Sequence, residues 1–354
     1  MNPEVISMFA DLTSANIASY WTTLQQKEAP YLGETLFPNV KQDSDVITFY
    51  RGLTRAPKAL NPSALDAQAI VRDRQGFNKI TTQTNFYKES KYLDENLRRE
   101  LSRLASSADQ TRRDIIIRRI FDDTGELMRG AALGREIQRM QVLLTGKYEI
   151  KGNGQVFSDD YYMQASHLAQ AVGKWGETGS SPTDDIKAAK DLIGTEQGVT
   201  LTRMLVNEKT FNALLRDEEI KATLFTTNIN TQAMALPKSA LLSYLSDQFG
   251  LEVVVYEKGY VDVTGKFNYF IPDGKVVFMP GVALGNTVFS PTPEETDLAL
   301  SKVADVSFAD TGVAITTTPH SDPVTKETKV SQQYSVSYEQ IDSVYILDAF
   351  NPKA

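Results

Sequence analysis

The stretch whose reading decides the fold is Gln110–Ile150, QTRRDIIIRRIFDDTGELMRGAALGREIQRMQVLLTGKYEI. Ile116, Ile120, Leu127 and Ala131 recur at helical spacing in its first half, and Leu133, Ile137, Met140 and Leu144 in its second. The pattern predicts an amphipathic helix, or two helices joined near Asp122–Gly125 with Asp123 and Glu126 as a capping box for the second. Gly146 should stop the helix, and a hairpin should follow around Gly152–Gly154. The element is long, rich in arginine and free of any catalytic grouping. It has the character of a scaffold that touches neighbours.

Working outward, residues 41–90 hold two extended runs, Val46–Tyr50 and Phe77–Phe86, around a polar middle with Pro57 and Pro62. A structureless loop of that length is improbable inside a compact domain. A projecting two-stranded arm fits better, stabilised by lying on another subunit because an isolated ribbon is marginal. The alternative is an ordinary edge hairpin. Before this arm, Pro3, Ile6, Phe9, Leu12, Ile17 and Trp21 suggest an amphipathic N-terminal helix.

After it, residues 91–146 read as helical, and 147–181 as strands and turns with a Gly/Ser-rich stretch. Pro182 opens a helix through Ile193, with Thr183, Asp184 and Asp185 supplying the cap and favourable charge. A strand over Gly198–Asn207, helices over Glu208–Arg216, Asp217–Leu224 and Lys238–Phe249, and four strands between Leu251 and Met279 make an α+β block. In the last part, Gly312–Thr318 and Lys329–Tyr338 flank a turn-rich PHSDPVTKE segment, giving a long hairpin, and Ser343–Leu347 is the final strand.

Composition bounds the class. With 354 residues, 41% of them hydrophobic, the chain can bury a sizeable core and hold two domains. No run of eighteen apolar residues occurs, so no transmembrane helix is expected, and the first residues lack the pattern of a secretory signal. There is no cysteine, which removes thiolate chemistry, disulfides and cysteine zinc sites and fits folding in a reducing cytoplasm. The net charge of −8 argues against a nucleic-acid binder. Within Arg98–Arg139, ten arginines face seven carboxylates with no lysine, a balance of +3 that leaves −11 for the remainder. Arginine favours forked pairing with carboxylates across an interface; the plainer reading is a solvated helix face.

Catalytic chemistry is hard to place. His167 and His320 are the only histidines, too few for a two-histidine metal centre, and no G-x-S-x-G accompanies them. The acidic pairs Asp122-Asp123, Asp159-Asp160, Asp184-Asp185 and Glu294-Glu295 are adjacent residues, which point apart rather than converge. Gly152 and Gly154 form a lone G-x-G followed by strand-like residues, and no P-loop exists. The helix pair in Met204–Leu224 has mixed charge, unlike a DNA-reading helix. No enzyme activity, catalytic residue, cofactor or metal site is expected.

The order of these elements resembles the major capsid protein E family, the lambda-type capsid proteins of tailed bacteriophages. Four places carry the resemblance: Arg112–Ile117 leading to Leu144-Thr145-Gly146-Lys147-Tyr148; Trp175 followed by Pro182–Ile186; Val253–Tyr256 with Tyr260, Gly265 and Phe270–Asp273; and the strand-rich ending Ser335–Leu347. The resemblance implies an α+β, Hong Kong 97-type capsid fold. It divides the chain into an N-terminal arm (1–40), an E-loop (41–90), a first part of the P-domain with a spine helix at about 111–145 (91–183), an A-domain (184–290) and a C-terminal β region of the P-domain (291–354).

It further implies a head protein of the virion that assembles in the host cytoplasm into pentamers and hexamers of an icosahedral shell around double-stranded DNA, which it holds without sequence-specific contacts. An encapsulin-like compartment or another structural phage protein are the alternatives. The candidate inter-subunit contacts are Arg51, Arg55, Lys58, Arg112, Arg113, Arg118 and Arg119. The chain starts directly with the arm, so a separate scaffolding protein and a portal are expected partners, and some members also carry a decoration protein. Some relatives are crosslinked through a lysine, an asparagine and a carboxylate; no such trio is placed here, although Lys58 and Lys88 lie in or near the arm.

Overall fold

The computed structural model describes residues 13–25, 29–51, 59–60, 62–63, 65–66, 68, 78–93, 95–96, 99–100, 103, 110–225, 236–298 and 304–353, with 110–120 described by their backbone. In chain order the principal elements are α1 (Ser14–Gln25), α2 (Leu32–Leu36), β1 (Asn39–Lys41), β2 (Val46–Arg51), β3 (Asn78–Gln83), β4 (Asn85–Leu93) and α3 (Gln110–Thr145). There follow β5 (Lys147–Gly152), β6 (Gln155–Asp160), β7 (Leu168–Gln170), α4 (Pro182–Gln197), β8 (Arg203–Val206), α5 (Glu208–Arg216), α6 (Glu218–Leu224) and α7 (Lys238–Phe249). The last are β9 (Glu252–Val255), β10 (Gly259–Val261), β11 (Phe267–Tyr269), β12 (Lys275–Met279), β13 (Thr287–Phe289), β14 (Asp305–Phe308), β15 (Val313–Ser321), β16 (Val324–Val336) and β17 (Tyr345–Asp348).

The helix α3 is a single 36-residue rod. The two-helix alternative does not hold, and the expected capping pair, Asp123 and Glu126, has another partner. Asp122 accepts a hydrogen bond from the Tyr20 hydroxyl at 2.6 Å, and Asp123 and Glu126 both pair with Lys91. Leu127 and Met128 pack inward, and from Arg135 to Leu143 burial extends almost all the way round. Packing on that scale outweighs the cost of a glycine inside a helix, about 1 kcal/mol. The rod ends at Gly146, whose φ of +65° suits glycine. The expected hairpin follows: β5 and β6 pair with Gly152 opposite Gln155, so Asn153 and Gly154 form a two-residue turn, both with positive φ.

Two compact units divide the chain. The first comprises residues 1–47, 81–139 and 286–337. Its sheet is centred on β16, which pairs antiparallel with β15 along one edge and with β13 and β4 along the other. Ile17 and Trp21 of α1, Leu127 and Met128 of α3, and Phe289, Val313, Ile315, Val330 and Tyr334 of the sheet form its core. One expectation is corrected here and one is refined. Residues 91–93 are the end of β4, not helix, because they pair with Lys326–Thr328 of β16. The expected long hairpin forms, with its turn confined to Asp322-Pro323: β15 and β16 stay in register up to Ser321 opposite Val324. The polar hairpin persists because β4 supports its second strand from the other side.

Gly312, with φ of +73°, turns the chain into β15 at a point where an added Cβ would lie 2.5–2.6 Å from Phe289 atoms. Gly312→Ala should therefore lose about 2–3 kcal/mol from combined backbone strain and overpacking, measured by urea unfolding.

The second unit comprises residues 48–80, 140–285 and 338–354. Its five-stranded sheet has the order β7-β17-β12-β8-β9, with β12 antiparallel to both neighbours and the outer pairs parallel. Trp175, Ile186, Ile193, Phe211, Leu214, Leu241, Leu245 and Phe278 lie in its core. The helices α5 and α7 match the sequence reading residue for residue, and α6 to within one residue. Asn207 and Asp217 cap α5 and α6 by accepting from their first-turn amides.

The α4 helix runs past Ile193 to Gln197 and closes on Gly198 in the left-handed region. Its predicted capping role for Asp185 is corrected. That carboxylate accepts from Trp175 Nε1 at 2.8 Å and from the Val172 amide, and its burial pushes its pKa up. The strand expected over 198–207 contracts to β8.

Candidate assembly surfaces

In β2, alternation puts Ile47, Phe49 and Arg51 on the buried face and Val46, Thr48 and Tyr50 on the exposed one. The strand pairs with β3, and the segment between them is the expected arm. Arg51 at the end of β2 is buried, and its fork grips Asp342: Nε lies 2.9 Å from both carboxylate oxygens and Nη2 lies 2.6 Å from Oδ1. Its Nη1 donates to the carbonyls of Tyr161 and Tyr162, and Gln164 Nε2 also donates to Asp342 Oδ1 at 3.2 Å. Phe49 packs on the ring of Tyr161 at 5.8 Å. The end of β2 is therefore fixed within its own chain.

That is where the structure places the first sequence candidate, Arg51. Arg55 and Lys58 lie outside the described residues, as do the side chains of Arg112, Arg113, Arg118 and Arg119. Lys88 lies on β4 with its Nζ 5.6 Å from the Phe86 ring centroid.

Sequence reasoning missed a buried polar cluster on α3. Arg135 donates to Gln332 at 2.7 Å and to Asp310 at 2.9 Å. Arg139 donates to Thr287 Oγ1 at 2.8 Å and to Asn39 Oδ1 at 2.6 Å, while Glu136 accepts from the Gly33 amide at 3.1 Å. Burial, reinforced by the neighbouring Arg135 guanidinium, pulls the Arg139 pKa down, opposed by Glu136 and Glu34. These two arginines thus bind neither a neighbour nor solvent. Their signal was spacing: Arg135 and Arg139 are four apart, on the buried face that Leu127 and Met128 begin.

The β10–β11 hairpin is closed by Asp262. Its Oδ1 accepts from the Thr264 hydroxyl at 2.5 Å, the Thr264 amide at 2.9 Å and the Lys266 amide at 3.0 Å; Oδ2 accepts from Asn268 Nδ2 at 2.9 Å. The bonds from the Thr264 hydroxyl, Asn268 and the backbone lower its pKa from 3.8 to about 2. The sign follows from a depressed carboxylate: turn order is fully present above 3.8 and is lost as pH falls through about 2. The Thr264 and Lys266 amide resonances should shift with a midpoint near 2, whereas a midpoint near 3.8 would mean the network is absent in solution.

The ionisable pairs considered for catalysis each have local partners. His167 is buried with Nε2 3.0 Å from Glu196, and His320 sits in β15, not in a turn, 3.0 Å from Glu327 across the hairpin. Asp160 pairs with Lys147 at 2.9 Å, Glu294 with Lys329 at 2.7 Å and Glu295 with Lys41. An open hollow of about 670 Å³ lies at the β5–β6 hairpin, lined by Gln141, Thr145, Tyr148, Glu149, Ser158 and Asp159 among others. Among the described residues no three histidine or carboxylate side chains group to hold a metal ion, and no helix is long and apolar enough to cross a membrane.

The sequence model of the family described as phage major capsid protein E matches residues 13–331. The chain belongs to that family. Its solved structural relatives include a phage-related protein from Bordetella bronchiseptica RB50, 14% identical, with a TM-score of 0.56 over 95% of this chain and 98% of the other. The capsid of cyanophage A-1(L) is similar at 12% identity and a TM-score of 0.52, over 91% and 93% of the two chains. No curated protein matches the sequence. The fold is of the Hong Kong 97 capsid type, as the resemblance implied. This is a major capsid protein of phage virions, from a structural family rather than a class of enzymes. The family match also falls on the phage side of the choice between virion and encapsulin-like compartment.

Proposed function

We propose that copies of this chain close into pentamers and hexamers that tile an icosahedral shell around double-stranded DNA. Residues 41–90 are the reaching E-loop, 1–40 an arm, α3 the spine of the P-domain, 184–290 the axial domain and 291–354 the returning β region. The observation that carries this reading is the root of the arm. A loop that starts from a buried arginine–carboxylate fork is aimed by its own chain and can present its far end to another. Ring contacts join one surface to a different one, and the rotation must close. A net charge of −8 lets the shell enclose a polyanion without gripping it.

A scaffolding protein and a portal are the expected partners during assembly in the host cytoplasm, with a decoration protein as a further surface ligand. Negative-stain electron microscopy of the purified protein, alone and with a candidate scaffolding protein, tests the reading. Closed shells, tubes or five- and six-membered rings support it, and a uniform monomer under every condition overturns it.

Arg112, Arg113, Arg118 and Arg119 are proposed inter-subunit contacts. Changing all four to glutamine should raise the protein concentration at which particles form about tenfold, equivalent to about 1.4 kcal/mol, with little change in melting temperature. Equal loss of assembly and monomer stability would make their role intramolecular.

A further inference from the structure

The β10–β11 hairpin exposes an unusual share of apolar surface for eleven residues, GYVDVTGKFNY. Val261 is 60% exposed, Val263 fully exposed, Phe267 51% and Tyr269 43%. Apolar side chains left in water on a soluble chain mark contact surfaces when they cluster.

The cluster is also held in one shape. The Asp262 network closes the turn. An added Cβ on Gly259 would meet Phe267 Cζ at 2.6 Å and the Asn268 carbonyl at 2.4 Å, so the Phe267 ring lies directly over bare backbone. Tyr269 then meets Phe267 edge to face at 5.1 Å. Preorganised aromatic and β-branched side chains lose little entropy on binding, which is how a small patch can contribute strongly to an interface.

Charge selects the partner. The hairpin carries one carboxylate, Asp262, and one ammonium, Lys266, a local net of zero in a chain of −8. A nucleic acid or an anionic membrane would require a basic surface. Two copies of an acidic chain repel, and they meet at lowest electrostatic cost through neutral apolar faces. Membership of a capsid family means that many copies of this chain do meet.

We infer that the β10–β11 hairpin is an apolar contact finger that seats on a second copy of this chain in the shell. The inference rests on the shell reading above and adds the surface through which copies join.

Two experiments test it. In the first, Val261→Thr, Val263→Thr and Phe267→Thr are combined. The variant should keep the wild-type circular dichroism and melting temperature while needing at least tenfold more protein to form particles. Wild type and variant assembling at the same concentration would overturn the finger and leave the shell reading intact. Wild type failing to assemble in every condition, with or without scaffolding protein, would overturn both.

The second experiment holds even if the triple variant misfolds. Because the chain contains no cysteine, Val263→Cys supplies a unique thiol. Maleimide should label it at least tenfold more slowly in particles than in dissociated protein, and equal rates in the two states would overturn the finger.

Discussion

Replacing Arg51 with alanine should cost the folded chain about 3–5 kcal/mol, the range for removing one partner of a buried ion pair. The Asp342 side chain is only 7% exposed, and without the guanidinium it keeps, among the described residues, Gln164 as its side-chain donor. Tyr161 and Tyr162 would also lose a donor to their carbonyls, and Tyr162 already holds a positive φ of 57°. Urea unfolding followed by circular dichroism gives the number. Asp342→Asn should lose less, because the amide keeps one acceptor for the fork. The double variant Arg51→Ala, Asp342→Ala should be more stable than the sum of the single losses, since no charge is then left stranded. A loss below about 1 kcal/mol for Arg51→Ala would put the pair among exposed ion pairs and remove the anchored root from the account.

Deleting residues 54–76 and bridging the gap with a short Gly/Ser linker should leave a folded protein that builds no shells. The deletion spares Arg51, Phe49 and the β2–β3 pair, so the melting temperature should stay at the wild-type value. Each copy in a closed shell would lose a contact to its neighbour. Even about 3 kcal/mol per contact is on the order of a hundredfold in association, and a shell multiplies that loss over every copy. Electron microscopy and sedimentation read the outcome. Outright unfolding of the deletion variant would assign the segment to the core, and wild-type shell formation would remove it from the interface.

The elements readable in the sequence were those whose cause is local. Periodic apolar residues point to α3, Pro237 and Gly250 bound α7, Gly146 marks the end of α3, and Gly152–Gly154 announces a hairpin. The elements that escaped depend on distant partners. β4, NFYKESKYL, has the alternating polarity of no particular fold until it pairs with β16, more than two hundred residues away. The hairpin over 312–338 is readable, but its turn formers at 319–327 hide how far the ladder runs, since β4 holds the second strand from outside. Arg51 and Asp342 are 291 positions apart. One clue was legible and unused: in an alternating strand the position after Ile47 and Phe49 on the inward face is Arg51, and a buried arginine demands a carboxylate. In α3 the sequence pattern points the arginines outward, whereas burial of Arg135 and Arg139 is set by β-sheet residues that the helix pattern does not contain.

Both compact units are built from three separate pieces of chain. The sheet of the first is centred on β16, and the sheet of the second has β17 between β7 and β12. During synthesis neither sheet can close until β16 and β17 have been made, so the nascent chain before that point carries both cores unfinished. It must depend on chaperones or on fast folding once those strands emerge. The same wiring is a safeguard against faulty translation. A chain cut short by a premature stop lacks the middle of one sheet or a central strand of the other, and so has no half-finished tile with which to enter a growing lattice.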